Sequence, residues 1–285
     1  MASAADEHAP TDALFATVIE PPRGWTFPDA RELWRYRELL FFLVWRDLKV
    51  RYKQTVLGVG WAVLQPVLTM VVFTLFFGKL AGVPSDGLPY ALFSFAGLVP
   101  WTFFAHGLAQ SANSVVSSQS LVGKIYFPRI LLPTATVVSG VVDFAVALIV
   151  LFALLAYYGV APGLSVVWLV PLSALTFVTA LAVGLWLSAV NVKYRDVRYV
   201  VPFLTQLWLF ATPIAYPSSL LPEQWRALYA LNPMVGVVEG FRWALLGAAT
   251  APSGLIAVSA AVALVALVAG VMYFQRSEAA FADII

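Results

Sequence analysis

Apolar residues in this 285-residue chain come in long uninterrupted blocks, and polar residues collect in the short stretches between them. Six blocks are long enough to cross the roughly 30 Å of a hydrocarbon core as helices. They fall at about 56–77, 90–110, 131–157, 164–190, 199–220 and 253–274. The sharpest junction is RDLKVRYKQTVLGVGWAVLQP over 46–66, where Arg46, Lys49, Arg51 and Lys53 give way to a charge-free stretch that lasts until Lys79. A basic cluster abutting an apolar block marks a span whose leading end stays in the cytoplasm. Arg23, Arg31, Arg35 and Arg37 precede that cluster, and Lys124, Arg129, Lys193, Arg195, Arg198 and Arg276 fall on the same side when the six blocks are threaded. Only Lys79, Arg226 and Arg242 fall on the other. Both termini are therefore expected in the cytoplasm, as an even number of crossings also requires.

Two shorter elements break the pattern. Asp29, with Glu32 three residues on, forms a capping box for a helix beginning near Ala30. Over 29–54 that helix sets Leu33, Tyr36, Leu40, Val44 and Leu48 against Arg31, Arg35, Glu38, Arg46 and Lys49, with Trp34 and Trp45 suited to the headgroup level. It reads as an amphipathic helix lying on the inner leaflet. Between the fifth and sixth blocks, Pro222 and Glu223 open a short helix, and Asn232-Pro233 restarts a second one that runs to Gly247. The second is too short and, with Glu239 and Arg242 at i,i+3, too charged to span. The pair reads as a re-entrant or interfacial hairpin on the outer face, with a surface loop as the plain alternative. Residues 1–28 carry no apolar core of a signal peptide and read as a mobile cytoplasmic lead, ahead of a membrane domain over 55–285.

Composition narrows the class. The chain is 61% hydrophobic and 11% charged, far from a water-soluble domain. This is an all-α, multi-pass membrane protein. The absence of cysteine excludes disulfides and thiol chemistry. No GxxxxGKS or GxxxxGKT occurs, because Gly78-Lys79 and Gly123-Lys124 are each followed by an aliphatic residue. The chain thus has no phosphate loop of its own. His8 and His106 stand far apart, and no paired carboxylates suggest an active site, so no catalytic residue, metal, cofactor or nucleic-acid partner is expected. Asp143, inside the third block, is the exception. An intramembrane carboxylate is costly and suggests either the relay of a proton-coupled carrier or a structural group hydrogen-bonded to a neighbouring Ser, Thr or backbone. His106 reads as structural.

Two connections are unusual. SANSVVSSQSLVGKIYFPRILLP, between the second and third blocks, is polar enough that a short helix should project from the membrane there, as a solvated turn or a docking element. NVKYRDVRYVVP, between the fourth and fifth, reads as a topological anchor or a lipid-phosphate contact. Pro66, Pro202 and Pro213 interrupt the first and fifth blocks, as kinks fixed by packing or as points of flexion.

At these residues the chain resembles the polysaccharide-export branch of the type-two ABC transporter permeases, the membrane subunits that export O-antigen, capsule or teichoic acid. The matching pieces are 46–66, GLVPWTFF (97–104), LVGKIYFPRILLP (121–133), RDVRYVVPFLTQLWLFATPIAYP (195–217), LNPM (231–234) and the terminal ExxFAD from Glu278 to Asp283. They run in order over nearly the whole chain, and only the stretch before Trp25 departs from the pattern.

The resemblance implies a homodimer of six-span subunits with a P-loop ATPase on each, which would bind the ATP and Mg that this chain cannot. It implies that the helix at about 113–123, with Asn113, Ser117, Gln119, Gly123 and Lys124, is the coupling helix seated in the ATPase, and that the hairpin with Glu239 and Arg242 caps the exit. The implied cargo is a polyprenyl-diphosphate-linked glycan crossing the bacterial cytoplasmic membrane. Arg46, Arg51 and Lys53 would meet its diphosphate, for which guanidinium and ammonium groups are suited. Tyr90, Trp101, Phe103, Phe104, Trp208, Phe210 and Tyr216 are the aromatic candidates for stacking on sugar, although belt or packing roles would explain the same residue types. Export of a drug, lipid or small glycolipid keeps the same family; a proton-coupled carrier centred on Asp143 does not. A membrane-embedded glycosyltransferase is disfavoured by the scarcity of carboxylates near either interface. A GxxxG, Gly236 to Gly240, lies outside the clear spans.

Overall fold

The computed structural model describes residues 27–53, 60–247 and 251–284, so the N-terminal lead before Phe27 and the start of the first expected span lie outside the described residues. The described residues form helices and no strand. In chain order they are α1 (Ala30–Arg35), α2 (Arg37–Lys53), α3 (Gly60–Phe73), α4 (Tyr90–Ser117), α5 (Gln119–Val122), α6 (Leu131–Tyr157), α7 (Leu169–Lys193), α8 (Val197–Phe210), α9 (Glu223–Tyr229), α10 (Pro233–Leu246) and α11 (Ser253–Ile284). A π-helical stretch, Thr74–Leu80, prolongs α3, and a 3-10 turn, Leu164–Trp168, leads into α7.

Among the described residues, five helical stretches are long and apolar enough to cross a membrane: Gly60–Leu80, Tyr90–Ser117, Leu131–Tyr157, Leu164–Lys193 and Ser253–Ala279. α4 is the central post. Its Leu92, Phe93, Phe95, Leu98, Phe104 and Leu108 are fully buried against α6, α7 and α10. Few residues of α3 and α11 are fully buried, as suits helices that face lipid on one side. A second, smaller cluster joins Leu43 of α2, Val115 of α4, Val122 of α5, Phe127, Leu131 and Leu132, Ala189 of α7, and Phe274 and Phe281 of α11. α2 and the last described helix therefore share a cluster at one end of the bundle, the basic end.

The fifth expected span differs most from the sequence reading. α8 holds fourteen residues, about 21 Å of helix, which is short of a bilayer core. Pro213 supplies no N–H for a continuing ladder, and the chain unwinds over 211–217. Its freed carbonyls are met by side chains: Tyr90 Oη donates to Ala215 O at 2.5 Å, Arg242 Nη2 to Ile214 O at 2.8 Å, and Asn232 Nδ2 to Ala211 O at 3.0 Å. Asn232 also caps α10, accepting from the Met234 N–H at 3.0 Å, and Gly247 ends α10 at φ 71.

α10 is no surface loop. All but Glu239 and Trp243 among its residues are buried against α4, α7 and α11. Its Gly236 and Gly240 serve close packing within the chain: a Cβ on Gly236 would lie 2.5 Å from Ser259 Oγ of α11, and one on Gly240 2.7 Å from Leu172 of α7.

The polar run after the second expected span also behaves differently. α4 continues through it to Ser117, and Ser111, Ser114 and Ser118 are buried. Partners on α7 meet the stretch 112–114: Asn191 Nδ2 donates to Ala112 O at 2.8 Å and to Asn113 Oδ1 at 3.2 Å, and the Ser114 and Ser188 hydroxyls lie 3.5 Å apart. Only the single turn α5 then projects.

Asp29 caps α1 as expected, accepting from Arg31 N–H at 2.9 Å, but the N-terminal helix breaks at Tyr36. α2 carries apolar groups on two sides: Leu39, Leu40, Leu43 and Val44 face the protein, while Phe41, Phe42, Trp45 and Val50 are exposed. Such a helix docks on the bundle with one side and leaves the other for lipid.

Candidate functional site

Arg51 and Tyr52, in the last turn of α2, reach α6. Arg51 Nη1 and the Tyr52 hydroxyl both donate to the Asp143 carboxylate, and Arg51 Nη2 donates to Ser139 Oγ at 3.3 Å. Asp143 lies twelve residues into α6, about 18 Å along the helix from its first residue. The C-terminal turn of α2 thus enters the bundle instead of lying flat at the interface. Asp143 is held by a cation and a phenol, where sequence reasoning weighed a proton relay against a bond to Ser, Thr or backbone. The pairing joins residues more than ninety positions apart, and no local spacing announces it.

The cluster forms one wall of a cavity of about 580 Å³ between α2, α3, α4, α6 and α8. Trp61, Gln65 and Thr69 of α3 line it with Trp101, Phe103 and His106 of α4 and Phe144 of α6. Trp61, Gln65 and Thr69 recur every four residues, a helix face that the sequence did display and that apolar block-counting hides. His106 contributes a buried Nε2 with no hydrogen-bond partner among the described residues. The lining mixes flat rings with an amide, hydroxyls, an imidazole and one ion pair.

Burial, then the hydrogen bond and charge of Asp143, push the Tyr52 phenol up to about 12. It therefore stays protonated and donating across the physiological range. Arg51 and Asp143 keep side-chain exposures of 23% and 27%, so their charges remain in touch with the cavity. A guanidinium has five N–H donors, more than the two bonds Arg51 makes to Asp143 and Ser139.

The other residues singled out from the sequence scatter. Arg46 is turned to Asp47 at 2.9 Å, and Lys53 is exposed. Trp101 and Phe103 line the cavity, whereas Phe104 is fully buried, edge-on to Trp208 at 5.0 Å. Trp208 Nε1 donates to Asn232 Oδ1 at 2.9 Å. Tyr90 supports the unwound segment, as given above. Tyr216 donates to Phe210 O at 2.9 Å and lies 2.8 Å from the Tyr229 hydroxyl, while Phe210 is exposed. Packing and backbone support, not a common surface, account for Phe104, Trp208, Tyr90 and Tyr216. In the coupling set, Asn113 faces α7, Ser117 closes α4, and Gln119, Gly123 and Lys124 are exposed around α5. Ile125 and Tyr126 beside them are 57% and 51% exposed, an apolar pair that sequence reasoning passed over.

Near the opposite end, Arg242 is 4% exposed. It donates to Glu239 Oε1 at 3.1 Å, to Phe93 O at 3.2 Å and to Ile214 O, and lies 3.5 Å from the Phe93 ring centroid. Among the described residues no group of His, Asp and Glu is placed to hold a metal ion.

The ABC-2 type transporter family model matches residues 38–246. The chain is 36% identical over 257 residues to the O-antigen export system permease protein RfbA of Myxococcus xanthus, covering 89% of this chain and 97% of that protein. It is 28% identical to the RfbA permease of Klebsiella pneumoniae, covering 87% and 95%. It is 23% identical to the polysialic acid transport protein KpsM of Escherichia coli, covering 82% and 92%. Permeases of this family are not themselves ATPases and work with an ATPase partner. With its apolar helices, the chain is a multi-pass protein of the bacterial inner membrane. It belongs to the ABC-2 type transporter family.

Proposed function

We propose that this chain is the transmembrane subunit of an ATP-driven exporter that moves a polysaccharide, or a polyprenyl-diphosphate-linked glycan, across the cytoplasmic membrane. The relatives named for O-antigen and polysialic acid export support the cargo class. The observation that carries the site is the cavity at the end of α2, where aromatic rings and polar side chains share one wall with Arg51. Rings offer faces to sugar C–H groups, and the unused donors of Arg51 suit a diphosphate. Of the three basic candidates, Arg51 takes this role; Arg46 and Lys53 lie at the periphery and draw the anionic head inward.

In this reading two copies of the chain assemble with two ATPase subunits, which hold ATP and Mg. The docking surface is the α5 turn, with Gln119, Gly123, Lys124, Ile125 and Tyr126 exposed around it. The basic end faces the cytoplasm, as its basic residues favour. α8 with the unwound 211–217 segment makes the sixth crossing, and α9–α10 is a re-entrant hairpin that caps the exit and is held in place by the buried Arg242 cluster. Unwound backbone at membrane depth is tolerated when buried in protein, and Tyr90, Asn232 and Arg242 supply that cover.

The test is co-purification with a P-loop ATPase, followed by reconstitution with a polyprenyl-diphosphate oligosaccharide. ATP-dependent movement of the oligosaccharide supports the reading. Movement by the purified chain without an ATPase sinks it.

A further inference from the structure

The last helix is tied at both ends to elements that an exporter must move together. At the basic end, the backbone N–H of Arg129, in the connection from α5 to α6 and two residues before α6, donates to Glu278 Oε1 at 2.7 Å. The Arg129 guanidinium returns to the Glu278 carbonyl at 2.5 Å and lies 6.0 Å from the Phe281 ring. Phe281 is buried edge-on against Phe274 at 5.3 Å, in the same cluster as Val122 of α5 and Phe127. Nineteen residues earlier on α11, Ser259 Oγ accepts from the Gly236 N–H at 3.1 Å and donates to Ala230 O at 3.3 Å. That hydroxyl thus holds the start of α10 and the end of the α9 turn. α10 in turn holds the unwound segment through Arg242 and Ile214 O. Between these ties runs about 28 Å of α-helix with no proline, whereas α4 carries Pro100 in its interior.

We propose that α11 is the lever of the transporter, with Glu278 its positioning residue: displacement at the α5 turn passes through Arg129 and Glu278 along α11 to Ser259 and the α9–α10 hairpin. This rests on the reading that the α5 turn docks on the ATPase. The Glu278 contact suits such a role because its carboxylate holds a backbone group, which follows the turn whatever side chain stands at position 129. A rigid element with firm contacts at both ends is what carries coupling between distant sites.

The experiment uses the full chain assembled with its ATPase in proteoliposomes and reads oligosaccharide moved per ATP hydrolysed. Glu278→Ala is expected to lower that ratio roughly fivefold to tenfold while ATP hydrolysis stays within about twofold of wild type. Glu278→Gln keeps the Oε1 acceptor and is expected to restore the wild-type ratio. Ser259→Ala lowers the same ratio, and the double variant loses no more than the larger single loss, because both changes cut one path. An unchanged ratio in Glu278→Ala overturns the lever. So does a parallel fall of assembly, hydrolysis and transport, which would make Glu278 a brace only. A wild-type complex that binds no ATPase or moves no cargo fails the proposed function first, and the lever with it.

Discussion

Two arginine–carboxylate pairs, one near mid-depth in the bundle and one toward the end away from the basic end, meet their surroundings in opposite ways. Arg242 is 4% exposed, and each of its three nitrogens donates, to Glu239 and to two backbone carbonyls, with a ring against its face. Arg51 is paired with Asp143, but both open onto a cavity of about 580 Å³. A charge enclosed on every side holds structure; a charge beside an open volume can receive a ligand. Both places pair an arginine with a carboxylate. Enclosure against accessible space separates the two roles.

The largest effect is expected at the closed pair. Arg242→Met should cost about 3–5 kcal/mol, because it strands Glu239 and orphans two carbonyls in the core. Thermal unfolding in detergent checks it, and a variant as stable as wild type would erase the distinction. At the open pair, Arg51→Ala should leave the fold assembled and reduce cargo-stimulated ATP hydrolysis by about tenfold, or about 1.4 kcal/mol, as loss of a charge-assisted contact does. Tyr52→Phe removes one donor from Asp143 and should cost about 1 kcal/mol of stability, read in the same melts. Asp143→Asn is the mildest for export: its single amide oxygen keeps one of the two donors, Arg51 or Tyr52, which reach different carboxylate oxygens, and the other meets the amide NH2. Export should stay within about twofold of wild type, and abolished export from an assembled complex would revive a proton relay.

What the sequence revealed followed from local physics. Apolar block length marked the long helices, Asp29 and Asn232 marked helix starts through their caps, and Pro233 and Gly247 bracketed α10. Five of the six expected blocks correspond to helices long enough to cross. What it hid depends on contacts between distant segments. The polar run around Ser114 looked too wet for a membrane helix because its partners, Ser188 and Asn191, sit more than seventy residues away. The fifth block looked like a span because apolar content cannot show that Pro213 and the donors of Tyr90, Asn232 and Arg242 favour an unwound segment.

The candidate site was half legible. Arg51, Trp101, Phe103, Asp143 and His106 each stood out in the sequence, but as members of separate groups. Only the fold places them around one cavity, and adds Trp61, Gln65, Thr69 and Phe144. Conversely, Arg46, Phe104 and Trp208 had the right chemistry and point to other partners. Chemistry selects candidates; packing decides which of them share a surface.

The most direct measurement compares oligosaccharide-stimulated ATP hydrolysis by the reconstituted complex carrying wild-type chain or Arg51→Ala, with assembly verified in both. The account predicts stimulation in the wild type and its loss, by about tenfold, in the variant. Equal stimulation in the two would contradict it and remove the cavity at the end of α2 from the path of the cargo.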